Sequence, residues 1–131
     1  MTRGLRNNNP GNIRISSTKW LGEIIPGKDK SFKQFKTMAY GYRALIKLLQ
    51  NYHKLNDCKT IADYINRWAP DEENNTGAYI CNVCREMQIP TTYVPDIKDK
   101  ATMCAFAGAI SLVENGKQAV KSDVEKGWEL L

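Results

Sequence analysis

The sequence predicts a small α+β fold dominated by helices, and two observations lead to this class. Residues 37–131 repeat apolar side chains at helical spacing almost throughout, whereas residues 1–36 are rich in Asn, Gly, Lys and Pro. A length of 131 residues suits one domain rather than two. We therefore expect a single domain (1–131) with a loop and β-hairpin lobe (1–36), a helical lobe (37–131) and a ligand cleft between them.

Short strands and turns are predicted for the first lobe. Trp20–Ile25 and Ser31–Phe35 are candidate strands, because each is a short run of apolar and aromatic residues, and residues 26–30 form a hairpin loop between them. The run Asn7–Asn12 combines Asn, Pro and Gly, so it is predicted to form turns rather than regular structure.

Five helices are predicted in the second lobe, over about 38–55, 60–69, 76–88, 97–115 and 122–131. Thr60 and Asp63 have the spacing of a capping box at the start of the second helix. Asp96 is the predicted cap of the fourth helix, and Gly116 ends that helix. Ser122 is predicted to begin a capping box for the last one.

Charge and composition limit the classes of partner. The chain carries 19 basic and 14 acidic residues, and a net charge of +5 favours anionic partners such as nucleic acid, a membrane surface or cell wall. No apolar run is long enough to span a membrane, and the N-terminus lacks the apolar segment of a secretory signal peptide. No nucleic-acid recognition motif accompanies the basic residues, which disfavours a specific nucleic-acid partner.

The cysteines do not indicate a metal or redox site. Cys81 and Cys84 form a single C-x-x-C, but the only histidine is His53, and zinc needs about four nitrogen or sulfur ligands. On a helix the two cysteines share a face, so we predict core packing and free thiols. We expect no metal and no cofactor.

One carboxylate stands out in the fourth predicted helix. Glu114 follows Ile110 by four residues and Ala107 by seven, so it falls on the apolar face. It also lies in the last turn, and both burial and the helix dipole there favour a protonated carboxyl. Glycosidic cleavage requires such a general acid. The alternative is a carboxylate at the edge of the stripe that reaches water or a lysine.

A second carboxylate and sugar-binding side chains can also be nominated. Glycoside hydrolysis commonly uses two carboxylates, and the first lobe offers Glu23 and Asp29, although each can equally be a surface charge and one essential Glu suffices for some enzymes. Aromatic rings stack on sugars, and amides bind their hydroxyl and N-acetyl groups. The substrate-binding candidates are Asn8, Asn9, Asn12, Trp20, Tyr40, Tyr42, Arg43, Asn75 and Tyr79.

Several of these candidates have an equally good structural explanation. Asn beside Pro or Gly often serves only to make a turn. Arg43 either pairs with Asp29 or is exposed. Trp68 has the spacing of a core residue of the second helix.

The chain resembles a family of phage and prophage lysozyme-like proteins associated with virions. The resemblance covers nearly the whole chain and is carried by RGLRNNNPGNIR (3–14), WLG (20–22), GYRA (41–44), RWAP (67–70), EENNT (72–76) and ENG (114–116). Residues 7–49 are also similar to bacterial β-N-acetylglucosaminidases and related autolysins. In those enzymes the catalytic Glu ends a helix upstream of the Asn-rich loop, so Glu114 corresponds to it only in a circularly permuted order.

The resemblance implies a lysozyme-like domain that cleaves the glycan strands of bacterial peptidoglycan, with Glu114 as general acid. Muramidase, glucosaminidase and lytic transglycosylase activities all fit. The alternative is a catalytically silent virion or cell-wall-binding protein of the same fold. We expect a monomer in the bacterial cytoplasm or the phage virion, delivered to the periplasm or cell wall by a device other than its own signal peptide.

Overall fold

Helices make up about half of the protein, and the sheet is small. The computed structural model describes all 131 residues. The elements are α1 (Arg3–Arg6), β1 (Glu23–Ile24), β2 (Gln34–Phe35), α2 (Met38–Asn56), α3 (Ile61–Trp68), α4 (Thr76–Met87), α5 (Lys100–Asn115) and α6 (Lys121–Glu129). The predicted class, α+β and mainly α, is confirmed. None of the helices combines the length and the apolar character that crossing a membrane requires.

The hydrophobic core lies among α2 to α6. Helix α2 packs against α6, α5 and α3, and α5 packs against α4 and α6. Tyr64 of α3 meets Phe106 of α5 edge to face, with ring centroids 5.5 Å apart. The fully buried apolar side chains include Leu45, Ile46, Leu49, Ile61, Ile65, Val83, Met103, Phe106 and Ile110. Helix α5 therefore has neighbouring helices on several sides.

Most helix boundaries follow the predicted signals. The Thr60–Asp63 capping box is present, and Gly116 ends α5 with a left-handed φ of 66°. The predicted cap of α5 was wrong: the helix begins at Lys100 because Asp99 accepts the amide N–H of Thr102.

The start of the last helix was also predicted wrongly. Val120 occupies the N-cap position of α6 and makes no side-chain capping bond, so Ser122 lies inside the helix. Val124 packs in the core as expected, whereas Leu131 lies beyond the end of the helix and is exposed.

The first lobe contains less sheet and more helix than predicted. Only Glu23–Ile24 and Gln34–Phe35 pair, in antiparallel register, and a single bridge joins Arg14 to Phe32. Residues 7–12 contain no helix or strand, as predicted. The four-residue helix α1 was not predicted; Thr2 caps it by accepting from the amide of Leu5.

All four cysteines are free, and they differ in exposure. Cys84 is buried as predicted, but the prediction of core packing was wrong for Cys81, which is exposed because it lies nearly opposite Val83 on α4. The fold gathers no group of three or more His, Cys, Asp or Glu side chains that could hold a metal ion.

Candidate active site

Glu114 lines a cavity of about 420 Å³ at the end of α5, a size typical of small-ligand sites. Its half-buried carboxylate forms no ion pair within 4.0 Å. Instead, neutral donors bind both oxygens: Asn12 Nδ2 lies 2.9 Å from Oε1, and the Tyr79 hydroxyl lies 2.7 Å from Oε2. A carboxylate has about four acceptor positions, so acceptor capacity remains for a ligand.

The end of α5 and the Asn-rich loop are tied together next to Glu114. Asn115 Nδ2 donates to the carbonyl oxygens of Pro10 and Ser111, each at 3.0 Å, and Asn115 Oδ1 accepts from Thr2 Oγ1 at 2.8 Å. Asn12 has a left-handed φ of 52°, a conformation that asparagine tolerates better than most residues. The loop therefore presents the Asn12 amide to Glu114.

Tyr79 reaches the same carboxylate from α4. Its side chain is buried, and Asn75 starts the helix one turn earlier by accepting from the amide of Ala78. Burial, and then the negative charge of Glu114, raise the pKa of the Tyr79 hydroxyl well above its usual range. The hydroxyl therefore stays protonated at neutral pH and can serve as a donor to Glu114.

Aromatic side chains form much of the cavity wall. Trp68 at the end of α3 and Phe32 of the first lobe line it, and the Tyr52 ring meets Trp68 edge to face with centroids 6.3 Å apart. Trp68 also packs against the hydrophobic core, as predicted, so its ring contributes to both the core and the cavity wall. Rings in such a wall suit the apolar faces of sugars.

Arg14 and Glu73, which also line the cavity, form an ion pair. Arg14 Nη2 lies 3.2 Å from Glu73 Oε2, and both side chains are more than half exposed, at 61% and 55%. The Arg14 guanidinium also lies 5.2 Å from the centre of the Phe32 ring. This pair places a second carboxylate among the residues that line the Glu114 cavity.

Glu23, one of the two predicted partners of Glu114, does not line this cavity. Its carboxylate lies 3.1 Å from Lys33 Nζ, and the two side chains are only 7% and 1% exposed. Lys33 also donates to the carbonyl oxygen of Thr18 at 2.8 Å. Glu23 therefore forms part of a buried ion pair inside the first lobe.

Asp29 does not line the cavity either. Arg3 Nε and Nη2 approach its two oxygens at 2.6 and 2.9 Å, and Asn7 Nδ2 donates at 3.1 Å. The Arg3 hydrogen bond first, and then the amide of Ser31, hold the pKa of Asp29 well below its usual range. Of the two alternatives for Arg43, the pair with Asp29 is absent, because Arg43 donates to the carbonyl oxygen of Leu130 at the end of α6.

Replacing Asp29 with Asn is expected to lower the melting temperature at pH 7. Because the pKa of Asp29 is depressed in the folded state, its contribution to stability is fully present above the unfolded value of about 3.9 and is lost as pH falls toward the folded value. Thermal unfolding by circular dichroism from pH 7 to pH 2.5 should show the two proteins converging in acid. A difference that widens below pH 4 would contradict this role.

Of the asparagine candidates, only Asn12 faces Glu114. Asn8 donates to the carbonyl oxygen of Phe35 at 3.2 Å. Asn9 is completely buried and donates to the carbonyl oxygens of Ile13 and Lys33, both at 2.9 Å. Asn75 is the cap of α4. These three side chains stabilise the backbone of the Asn-rich loop and the start of α4.

The remaining aromatic candidates are also packed elsewhere. Trp20 and Tyr40 pack against the small cluster around Phe35. The Tyr40 ring lies so close to Gly22, at φ 77°, that no side chain would fit there. Tyr42 is 1% exposed, and its hydroxyl lies 3.0 Å from Ser111 Oγ in the helical core.

Sequence reasoning missed part of the cavity lining, including Arg14, Phe32, Tyr52 and Glu73. The signal available was the EENNT segment directly after Pro70, since polar residues between two helices often form sites. Nothing in the spacing of the sequence brings Arg14 to Glu73, which lies 59 residues further along the chain.

A larger cavity of about 740 Å³ lies between α4, α5 and α6. Alanine and glycine contribute much of its lining, and its carboxylates already have partners: Asp99 caps α5, Glu125 pairs with Lys100, and Glu86 accepts from Gln118. We assign the candidate site to the smaller cavity because Glu114 shares its lining with aromatic rings, whereas no aromatic residue lines the larger cavity.

These features define a mainly helical protein with a carboxylate-bearing cavity bordered by an Asn-rich loop. The chain is 38% identical over 131 residues to Protein P5 of Pseudoalteromonas phage PM2, a match that covers 97% of this chain and 80% of that protein. It therefore belongs to the same family as that phage protein, and this relationship supports the expected association with bacteriophages. No family model matches the sequence.

Proposed function

We propose that the protein cleaves the β-1,4-linked glycan strands of bacterial peptidoglycan, with a lysozyme-like site in the Glu114 cavity. The observation that carries this proposal is the placement of Glu114. Its carboxyl group lies in the last turn of α5, accepts from two neutral donors and lines a cavity that also has aromatic side chains in its wall. A positioned carboxyl beside sugar-stacking rings is the basic requirement for general acid catalysis on a glycan.

The chemistry assigned to Glu114 is proton transfer to the glycosidic oxygen. As the bond between C1 and that oxygen breaks, the carboxyl proton moves to the leaving oxygen and the sugar ring gains positive charge. Asn12 and Tyr79 hold the two oxygens of Glu114 in place during this step. Trp68 and Phe32 provide surfaces on which the apolar faces of the sugars can stack.

The sequence resemblance to lysozyme-like phage proteins supports the same function. The family relationship to a phage protein fits a virion that must pass through a bacterial wall. A net charge of +5 also favours contact with an anionic cell wall.

Release of soluble fragments from purified peptidoglycan tests the proposal. The purified protein is incubated with dye-labelled, protein-free sacculi, and the soluble dye is measured after sedimentation. We expect release above that from a boiled sample of the same protein. Sedimentation of the protein with the sacculi and no release of dye would contradict the proposal.

That contradicting result would favour the second candidate function, a catalytically silent virion or wall-binding protein. The phage relationship fits this candidate as well as it fits an enzyme. The same experiment separates the two functions, because only an enzyme produces soluble sugar.

Replacing Tyr79 with Phe is expected to lower the rate of cleavage about 10- to 100-fold. The change removes one hydrogen bond to a carboxylate, and such a bond contributes about 1.5–3 kcal/mol. Initial rates on labelled sacculi measure the effect, and Tyr93→Phe is the matched control because Tyr93 does not line the cavity. Equal rates for the two variants would exclude a role for Tyr79 in holding Glu114.

A further inference from the structure

We propose that Glu73 supplies the second carboxylate of the reaction, as the base that activates the attacking water. This inference rests on the proposed function and makes the reaction a hydrolysis. Glu73 and Glu114 are the only carboxylates among the residues that line the cavity. The sequence-based candidates, Glu23 and Asp29, are both held in ion pairs away from it.

The structure fixes Glu73 on a short turn between α3 and α4. The amides of Glu73 and Asn74 donate to the carbonyl oxygen of Pro70 at 3.1 and 3.2 Å. Thr76, which is buried, closes the turn through a hydrogen bond from its hydroxyl to the carbonyl oxygen of Ala69. The same segment continues into α4, which carries Tyr79, so one stretch of chain positions both Glu73 and a partner of Glu114.

The segment from Asn12 to Arg14, at the end of the Asn-rich loop, contacts both carboxylates. Asn12 binds Glu114, and Arg14, two residues later, binds Glu73. The Cα atoms of residues 12 and 14 can be at most about 7 Å apart, since consecutive Cα atoms are 3.8 Å apart. The two carboxylates therefore bind to neighbouring residues of one segment. Glu114 binds the neutral amide of Asn12, whereas Glu73 binds the cationic guanidinium of Arg14.

This difference matches the two roles that glycoside hydrolysis requires. Glu114 is half-buried and accepts from two neutral donors, whereas Glu73 is 55% exposed beside a guanidinium, and the base must be an accessible carboxylate. In the proposed step Glu114 gives its proton to the glycosidic oxygen as the C1–O bond breaks. Water bonds to C1, and Glu73 takes the water proton. The products are a reducing end and a free hydroxyl.

The test compares Glu73→Gln with Glu72→Gln, the adjacent exposed carboxylate that does not line the cavity. We expect Glu73→Gln to slow the formation of reducing ends about 10²- to 10⁴-fold and Glu72→Gln to leave the rate within about twofold of the wild type. Azide needs no base, so it should restore cleavage by Glu73→Ala and produce glycosyl azide. Loss of a merely structural contact would not give this product.

Two outcomes would overturn the inference while the proposed function stands. One is a Glu73→Gln variant as active as Glu72→Gln, with Glu114→Gln inactive. The other is wild-type fragments that end in 1,6-anhydro sugars by mass spectrometry, because the sugar's own 6-hydroxyl then replaces water. A wild-type protein that releases no sugar would instead remove the proposed function itself, together with this inference.

Discussion

The Glu114→Gln variant is expected to fold normally and to cleave glycan strands about 10²- to 10⁴-fold more slowly than the wild type. Glutamine has the shape of glutamate and can keep both contacts. Its amide oxygen can accept from Asn12, and its amide nitrogen can donate to the Tyr79 hydroxyl oxygen. The variant therefore differs mainly in lacking a proton that it can transfer to the leaving oxygen.

Initial rates of dye release from labelled sacculi measure this effect, and thermal unfolding by circular dichroism checks the fold. Glu129→Gln is the matched control, since Glu129 is an exposed carboxylate at the end of α6 and does not line the cavity. Activity of Glu114→Gln equal to that of the control would show that Glu114 is not the acid.

The Lys33→Met variant is expected to lose about 3–5 kcal/mol of the free energy of unfolding, the cost of leaving a buried charge without its partner. Lys33 and Glu23 are almost completely buried, and Lys33 also donates to the carbonyl oxygens of Ser16 and Thr18. Methionine fills similar space but removes the ammonium group. The Glu23 carboxylate would then keep only the Trp20 amide as a donor, and these carbonyl oxygens would lose the ammonium group.

Urea unfolding of the wild type, Lys33→Met and the double variant Lys33→Met/Glu23→Leu measures this effect. The double variant should recover part of the loss, because it removes the unpaired charge along with its partner. A loss below about 1 kcal/mol for Lys33→Met would mean that the pair is solvated, contrary to the structure. This pair gives Glu23 a structural role, whereas the sequence left a catalytic carboxylate and a surface charge as alternatives.

The helical lobe was predictable because its signals are local. Thr60 and Asp63, Gly116 and the apolar stripes each act within one or two helical turns, so their positions in the sequence determine the structure. The predicted cap of α5 was misplaced because Asp96 and Asp99 are both good caps three residues apart. Local chemistry does not decide between them.

The site was predictable only in part. The position of Glu114 on an apolar helical face identified it, and Tyr79 and Asn12 were among the substrate-binding candidates before their contacts with Glu114 were known. Asn8 and Asn9 bind backbone carbonyl oxygens, and Asn75 caps α4. Composition alone cannot distinguish these structural roles from sugar binding. Glu73 was missed because its only long-range partner, Arg14, is brought near by the fold and not by sequence spacing.

We expect the Glu114 cavity to bind the glycan, and the three tryptophans allow a direct test of this binding. Trp68 lines the cavity, whereas Trp20 packs near Phe35 and Trp128 lies on α6. We would titrate the inactive Glu114→Gln variant with a soluble peptidoglycan tetrasaccharide and record the indole N–H signals by NMR. We expect a saturable shift of the Trp68 signal with the Trp128 signal unchanged. A shift of Trp128 with Trp68 unmoved, or no shift at any tryptophan, would contradict it.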